Sequence, residues 1–274
     1  MTTAIRLADR GIVEVAGAEA GKFLHNLVTN DIVALAPGNA RFAALLTPQG
    51  KILFDFLVFA AGDERYFIDC PLALADDLVK RLAMYKLRAK LDIANRSDAY
   101  EVIAFPDAQN APPVAALTLA PDPRAALGYR AVAQKGALDA ADAMADYDAR
   151  RIGAGVPAGG VDFAYGDAFP HEANMDLLNG LDFSKGCYVG QEVVSRMKHR
   201  GPVRKRVTLY RTQGDAPAPH EAIRAGEIDI GLTGSHTDHE GLALIRLDRL
   251  AEAREKHLAP LAGGVALDFQ DIPG

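Results

Sequence analysis

One segment organises the rest of the chain: Lys185-Gly186-Cys187-Tyr188-Val189-Gly190-Gln191-Glu192. Cys187 is one of only two cysteines in 274 residues, and Lys185 lies two residues before it. Gly190 relaxes the backbone at the point where an amphipathic helix is predicted to begin. A neighbouring cation and a helix N-terminus both favour the thiolate form of a cysteine. The segment therefore predicts a reactive thiolate at Cys187, and the alternative is a buried cysteine that acts as a small apolar residue.

Further motifs lie before and after this segment. Residues 169–175 (FPHEANM) precede it, Ser195 and Arg196 follow it, and FLHNLVTND occupies residues 23–31. Together these motifs resemble the signature of the YgfZ-type folate-binding proteins, relatives of the aminomethyltransferase (T protein) of the glycine cleavage system. The resemblance covers most of the chain, and its cysteine motif is that of the YgfZ branch rather than that of the T protein.

The resemblance implies an α+β fold, with a T-protein-like three-lobed core around a central cavity and a C-terminal antiparallel β-barrel. The core is expected to span residues 1–202, as two α+β subdomains, and the barrel residues 203–274. The residue pattern agrees with the second part: after residue 203, short apolar runs alternate with Gly, Pro and Asp turns. Such a pattern is typical of a small antiparallel barrel or sandwich.

Composition limits the possible functions. The chain has an ordinary globular content of 49% hydrophobic and 24% charged residues. No apolar run reaches the roughly 18–20 residues of a membrane span, and residues 1–9 lack a signal pattern. We therefore expect a soluble, cytoplasmic protein without a membrane partner. Two cysteines exclude a disulfide scaffold and are too few to hold an iron–sulfur cluster within one chain. His236 and His239 have metal-like spacing but no third ligand, so no metal site is predicted.

Positive charge is concentrated around the cysteine motif. Residues 185–206 contain seven Lys and Arg against one acid, Glu192, although the whole chain has a formal net charge of −6. Such a basic strip either attracts an anion or is simply a solvated face. A non-catalytic RNA-binding module is one alternative. Base stacking requires several aromatic side chains, however, and only Tyr188 and Tyr210 lie nearby, so we do not expect a nucleic-acid partner.

Two carboxylates are candidates for ligand binding. Asp55 interrupts the apolar run 52–58, where an unpaired carboxylate is costly to bury. It lies either on the exposed side of an edge strand or in a pocket where it accepts a hydrogen bond from a ligand. Glu172 is either a solvated loop residue or a bidentate acceptor for an amino-pyrimidine. The resemblance implies that Asp55 and Glu172 bind the pterin ring of a folate.

The resemblance also implies the cofactor and the biological role. The cofactor is expected to be tetrahydrofolate or a one-carbon derivative, whose glutamate tail meets one of Arg200, Arg204 and Arg206. The expected role is assistance in the assembly or repair of iron–sulfur clusters, with client or assembly proteins as partners. Cys187, with Lys185 beside it, would handle a sulfur, iron or one-carbon intermediate. A folate-dependent aminomethyltransferase or demethylase is the enzymatic alternative, which Asp55 favours and the cysteine motif disfavours.

Local patterns predict individual elements. Residues 41–46 and 51–59 form a hairpin around the turn Thr47-Pro48-Gln49-Gly50. Residues 114–119 are predicted to form a strand. Residues 139–151 are predicted to form a helix that Asp139 caps.

Overall fold

Three antiparallel β-sheets and five α-helices make up the part of the chain that the structure, a computed structural model, describes: residues 3–124, 126–199 and 203–270. The strands are β1 (Ile5–Arg6), β2 (Arg10–Ala16), β3 (Ala40–Leu46), β4 (Ile52–Ala60), β5 (Arg65–Pro71), β6 (Asp92–Asn95), β7 (Tyr100–Phe105), β8 (Thr118–Pro121), β9 (Tyr129–Gln134), β10 (Lys205–Arg211), β11 (Ala222–Ala225), β12 (Ile228–His236), β13 (Glu240–Arg246), β14 (Leu261–Ala262), β15 (Val265–Ala266) and β16 (Asp268–Phe269). The helices are α1 (Ala20–Leu27), α2 (Ala75–Lys86), α3 (Met144–Gly153), α4 (Gln191–His199) and α5 (Leu247–Glu255), and a 3-10 turn, Leu72–Leu74, precedes α2.

The first sheet has the strand order β3-β4-β5-β2-β6 and separates two hydrophobic clusters. Successive side chains of a strand point to opposite faces. On β4, Phe54 and Phe56 pack with α1 and α2, whereas Leu57 and Phe59 pack on the other face, toward the second sheet. Asp55 has the parity of Leu57, so it points to this inner face. Because β4 lies between β3 and β5, the exposed-edge alternative for Asp55 is excluded.

The second sheet has the order β1-β7-β9-β8 and faces the first. Its inner side chains belong to the same hydrophobic cluster as Leu57 and Phe59; they are Val102, Ala104, Ala120 and Val132. Arg130 comes two residues before Val132 on β9, so it also points inward. The space between the two sheets is therefore apolar in its middle and charged at one end.

The third sheet is a nearly closed antiparallel barrel with the order β15-β14-β11-β12-β13-β10-β16. The predicted α+β fold with a C-terminal antiparallel barrel is thus confirmed. Ile152 of α3 packs against Val207, Leu209 and Leu242, which fixes the barrel to the rest of the chain. None of the helices within the described ranges is both long and apolar enough to cross a membrane.

Two element boundaries differ from the sequence prediction. Helix α3 begins at Met144 rather than near Asp139, and no side chain caps it. Residues before it are held extended, because Ala141 exchanges backbone hydrogen bonds with Ala4 and Arg6 beside β1. Strand β8 begins at Thr118, and its register with β9 covers residues 118–121.

Candidate functional site

A cavity of about 200 Å³ lies at the charged end of the space between the first two sheets. The ionisable side chains in its lining are Asp9, Arg10, Asp55, Arg124, Arg130, Tyr147, Asp148 and Arg151. Apart from Asp55, none of them was among the sequence candidates. The cavity therefore contains one predicted site residue and seven ionisable residues that the motif-based reasoning missed.

Strand alternation and helix periodicity bring these residues together. Arg10 comes two residues before the inward-facing Ile12 on β2, as Asp55 comes two before Leu57 on β4. Tyr147 and Arg151 are four residues apart on α3, so they lie on one face of the helix. The cavity is thus formed by two sheets and one helix that are distant in sequence.

Asp69 is the central anion behind the cavity wall. It is fully buried on β5 and accepts hydrogen bonds from Arg10 Nε at 2.6 Å and from Arg130 Nη1 at 2.7 Å. Burial by itself favours the neutral acid, but the charges of Arg10 and Arg130 hold the pKa of Asp69 below its ordinary value. The carboxylate therefore stays ionised and fixes both guanidinium groups.

A second buried pair continues this network. Asp122 receives two hydrogen bonds from Arg124, at 3.0 Å from Nε and 2.8 Å from Nη2. The hydroxyl oxygen of Tyr147 accepts hydrogen bonds from Arg124, at 3.3 Å, and from Arg130. Burial opposes ionisation of Asp122, but the nearby charges of Arg124 and Arg130 lower its pKa overall. Three arginines thus share two buried carboxylates.

Asp55 is one of three carboxylates in the cavity lining, with Asp9 and Asp148, and the one that was predicted to bind a ligand. It is buried, and its Oδ1 accepts a hydrogen bond from the hydroxyl of Tyr165. Burial, together with the charge of Asp55, raises the pKa of Tyr165, which keeps the phenol protonated as a donor. This contact fixes the orientation of the carboxylate within the cavity.

Cys187 is exposed and free, in the loop that precedes α4. The buried-cysteine alternative is therefore wrong for Cys187, whereas Cys70 is buried in the core. Lys185 is itself buried, and its ammonium donates to the backbone carbonyls of Val28, at 2.6 Å, and His25 at the end of α1. Burial lowers the pKa of Lys185 to about 8. Lys185 thus anchors the motif loop to α1.

Two glycines hold the motif against the β3–β4 hairpin. Gly190 has a φ of +84° just before α4, and a Cβ at this position would lie 2.6 Å from the carbonyl oxygen of Thr47 and 3.0 Å from the Cα of Gly50. Such a distance is shorter than a Cβ tolerates. The backbones of the motif and of the hairpin turn therefore meet in direct contact.

We expect Gly190→Ala to lower the free energy of unfolding by roughly 1–3 kcal/mol, because a non-glycine residue is strained at positive φ and its Cβ would strike the hairpin backbone. Gly186→Ala is the matched control, since a Cβ at Gly186 meets nothing within 4 Å. Chemical denaturation of both variants checks this. Equal stabilities of the two variants would contradict the account of Gly190.

The other residues of the motif differ in how deeply they are buried. Tyr188 is buried in the cluster between the first two sheets, and burial raises its pKa to about 12. Gln191 is the first residue of α4 and is half-buried, and Glu192 is exposed in the first turn.

Glu172 is half-buried, and its carboxylate accepts the backbone N–H of Phe169 at 2.8 Å. Glu172 does not line the cavity that contains Asp55.

The arginines predicted to meet the folate tail lie elsewhere. Arg206 is buried and forms a two-pronged ion pair with Asp176, at 2.8 and 3.0 Å, beside a different cavity of about 200 Å³. Arg204 is exposed at the start of the barrel. Arg200 lies outside the described residues. The structure does not bring Arg204 or Arg206 into the lining that contains Asp55.

Within the described part of the basic strip of residues 185–206, the cations are divided between the interior and the surface. Lys185 and Arg206 are internal and paired, and Lys198 lies over the ring of Phe183 at 3.8 Å. Arg196 and Arg204 are exposed. Within the described ranges, no group of three or more His, Cys, Asp or Glu side chains converges as a metal site.

Comparisons with known proteins agree with this architecture. A family model for the GCVT N-terminal domain matches residues 7–144, and one for the CAF17 C-terminal β-barrel domain matches residues 204–271. The chain is 33% identical to the iron-sulfur cluster assembly factor IBA57 homolog, mitochondrial, of Mycosarcoma maydis, over 96% of this chain and 70% of that protein. It is 30% identical to mitochondrial IBA57 of Mus musculus, over 90% of this chain and 78% of that protein.

A solved structure shares the fold. The glycine cleavage system aminomethyltransferase T from Bartonella henselae superposes with a TM-score of 0.74, covering 99% of this chain and 85% of that chain. The two sequences are only 14% identical, so this likeness concerns the fold alone.

The comparisons correct one prediction. A cytoplasmic location was expected because residues 1–9 lack a signal pattern. That prediction is wrong, since the related IBA57 proteins of Mycosarcoma maydis and Mus musculus are named as mitochondrial, which points to mitochondria instead.

Proposed function

The chain belongs to the family of GCVT-domain proteins that contains the IBA57 iron–sulfur cluster assembly factors, and from this premise we propose that it assists the assembly or repair of iron–sulfur clusters. In this proposal Cys187 is the reacting thiol, and tetrahydrofolate or a one-carbon derivative occupies the cavity lined by Asp55. The partners are a reduced folate and iron–sulfur client or assembly proteins.

The accessibility of Cys187 is the observation that carries the proposal. Of the two thiols, Cys70 is buried and its pKa is raised to about 12, so it is inert at neutral pH. Cys187 is exposed on a loop that Lys185 anchors on one side and Gly190 on the other. An anchored, exposed thiol is suited to binding iron at the surface, where another protein reaches it.

One cysteine is too few for a stable cluster, which takes about four cysteine or histidine ligands. Cys187 therefore supplies one ligand or one nucleophile, and the partner protein supplies the rest. This chemistry suits a transient role in assembly or repair better than permanent cluster storage.

The cavity supports the folate part of the proposal. A pterin ring offers N–H donors that a carboxylate such as Asp55 accepts, and it offers carbonyl and ring-nitrogen acceptors that guanidinium groups address. Tyr165 holds Asp55 in place through its hydroxyl. The lining therefore has the donors and the acceptor that such a ligand needs.

We expect Asp55→Asn to weaken the binding of tetrahydrofolate at least tenfold, because a hydrogen bond to a charged acceptor contributes about 1.5–3 kcal/mol. Isothermal titration calorimetry measures the affinity. Asp229→Asn is the control, since Asp229 lies in an exposed ion pair with Arg224 on the barrel. Unchanged affinity in Asp55→Asn would make Asp55 a structural residue.

A folate-dependent aminomethyltransferase remains a second candidate, because a buried carboxylate with a tyrosine donor sits in the cavity. The proposal above predicts no robust formation of methylene-tetrahydrofolate from an aminomethyl-lipoyl carrier protein. Rapid turnover in that assay would favour the enzyme instead.

A further inference from the structure

The C-terminal end of α2 forms a surface that is both basic and apolar. Residues 78–91 contain five Lys and Arg and no acid, in a chain whose formal net charge is −6. Among these cations, Met84 is 69% exposed and Leu87 is 89% exposed. Arg81 and Arg88 form no ion pair with any residue of the described ranges. We call Arg81, Met84, Leu87 and Arg88 the α2 patch.

Leu87 is held in an unfavourable backbone conformation. It follows the last residue of α2 with a φ of +47° and a ψ of −106°. A residue with a Cβ is strained in this region, where glycine is the usual choice. Single exposed leucines are common on protein surfaces, but a leucine that is both strained and exposed gains nothing from the fold itself. The strained backbone thus presents an apolar side chain to solvent.

The patch is also fixed in place. The backbone N–H of Ala89 donates to the carbonyl of Lys86 at 2.8 Å, and the backbone N–H of Lys90 donates to Glu19 Oε2 at 2.6 Å. On its other face, α2 is packed into the core through Leu78 and Leu82. The patch is therefore already ordered before any partner binds, which lowers the entropy that binding costs.

The patch and the cysteine motif lie on the same side of the first sheet. Tyr85 of α2 and Val189 of the motif pack against the same hydrophobic cluster. Lys90 is bound at the start of α1, and Lys185 is bound at its end. Helix α1 has eight residues, so it is about 12 Å long. An ordinary protein interface buries about 800 Å² on each partner, which is enough to cover both regions.

The chemistry of the patch fits a protein partner better than a membrane. A helix that binds a membrane surface lays a whole apolar face into the lipid. The apolar face of α2 is already used in the core, and only Met84 and Leu87 project outward. Two aliphatic side chains beside unpaired cations match an apolar socket ringed by carboxylates, because the charges steer the partner and the apolar contact holds it.

We propose that the α2 patch is the docking surface for an acidic protein that supplies the remaining cluster ligands to Cys187. That this protein is an iron–sulfur client or assembly protein rests on the proposed function. Met84 and Leu87 enter an apolar socket of the partner, and Arg81 and Arg88 contact carboxylates at its rim. The docked partner then reaches the exposed thiol of the motif loop.

Site-specific photo-cross-linking of the full chain, in a strain that lacks the native protein, tests this proposal. Benzoylphenylalanine replaces Met84 in one form of the chain and Ser184 in another, since Ser184 is exposed three residues before Cys187. We expect both forms to capture the same protein, which mass spectrometry identifies as acidic and cysteine-containing. Leu232, an exposed apolar residue of β12, is the control position and should not capture it.

Two substitutions within the patch sharpen the test. Arg88→Glu reverses a charge and is expected to lower the cross-linked yield from position 84 about tenfold, whereas Arg224→Glu in the exposed barrel pair should leave it unchanged. Leu87→Gly removes the apolar side chain and relieves the strain at positive φ. We therefore expect a similar loss of yield, together with a midpoint of thermal unfolding no lower than that of the wild type.

Several results would overturn the docking surface: no protein captured from position 84, a protein that position 184 does not capture, or a yield that survives Arg88→Glu and Leu87→Gly. A lower unfolding midpoint for Leu87→Gly would make Leu87 a structural residue. Sedimentation that depends on Leu87, with vesicles of equal parts phosphatidylcholine and phosphatidylglycerol, would assign the patch to a membrane instead. If both positions capture the same acidic protein but Cys187→Ser retains full biological activity, the docking surface stands and the role of Cys187 in the proposed function fails.

Discussion

Cys187→Ser is expected to abolish the rescue of iron–sulfur enzyme activity in a strain that lacks this protein. Serine has nearly the shape of cysteine, but its hydroxyl does not ionise at neutral pH and does not bind iron as a thiolate does. Because Cys187 is exposed, we expect the free energy of unfolding to change by no more than about 0.5 kcal/mol. The activity of a cluster-containing enzyme in cell extracts measures the rescue.

The matched control is Cys70→Ala, which removes the other thiol. Cys70 is buried in the core beside α1 and α2, so this variant loses some stability but is expected to retain rescue. Calorimetry with tetrahydrofolate should show that Cys187→Ser keeps its folate affinity. Full rescue by the serine variant would remove Cys187 from the mechanism.

Asp69→Asn is expected to cost about 3–5 kcal/mol of stability, because removal of one partner from a buried ionic network leaves uncompensated charge. Asp69 holds Arg10 and Arg130 from a position with no exposed surface. The asparagine variant retains the shape but leaves both guanidinium groups without their shared anion. Chemical denaturation checks the loss, with Asp229→Asn in the exposed barrel pair as the control.

The same network predicts how stability depends on pH. The pKa values of Asp69 and Asp122 are lowered in the folded protein. Their contribution is therefore fully present above the unfolded value of about 4, and is lost as the pH falls through the lower folded values. Asp69→Asn should accordingly show a shallower loss of stability in acid. A variant as stable as the wild type, with an unchanged acid slope, would contradict the role given to Asp69.

The sequence was most informative where structure is local. The hairpin around Thr47-Pro48-Gln49-Gly50 follows from turn residues between two apolar runs. In the structure β3 and β4 form this hairpin. The inward position of Asp55 follows from strand alternation once both faces of the sheet are known to be covered. The start of α3 was not predictable in this way, because Ala141 is held by β1 from more than 130 residues away in sequence.

The residues of the candidate site could be predicted only in part from the sequence, for the same reason. Arg10, Arg130 and Asp69 meet because two sheets face each other, which no local pattern specifies. One signal was available: Asp69 and Arg130 interrupt apolar strands in the way that Asp55 does. Charged residues in otherwise apolar strands indicated the cavity better than the basic run near the cysteine motif, whose Lys185 and Arg206 are used in structural contacts.

The most direct test of the account is a crystal structure of the protein grown or soaked with saturating tetrahydrofolate. We predict density for the pterin ring against Asp55, in the cavity between the first two sheets. An empty cavity, or a folate bound only outside it, would contradict the central claim that this cavity is the folate site.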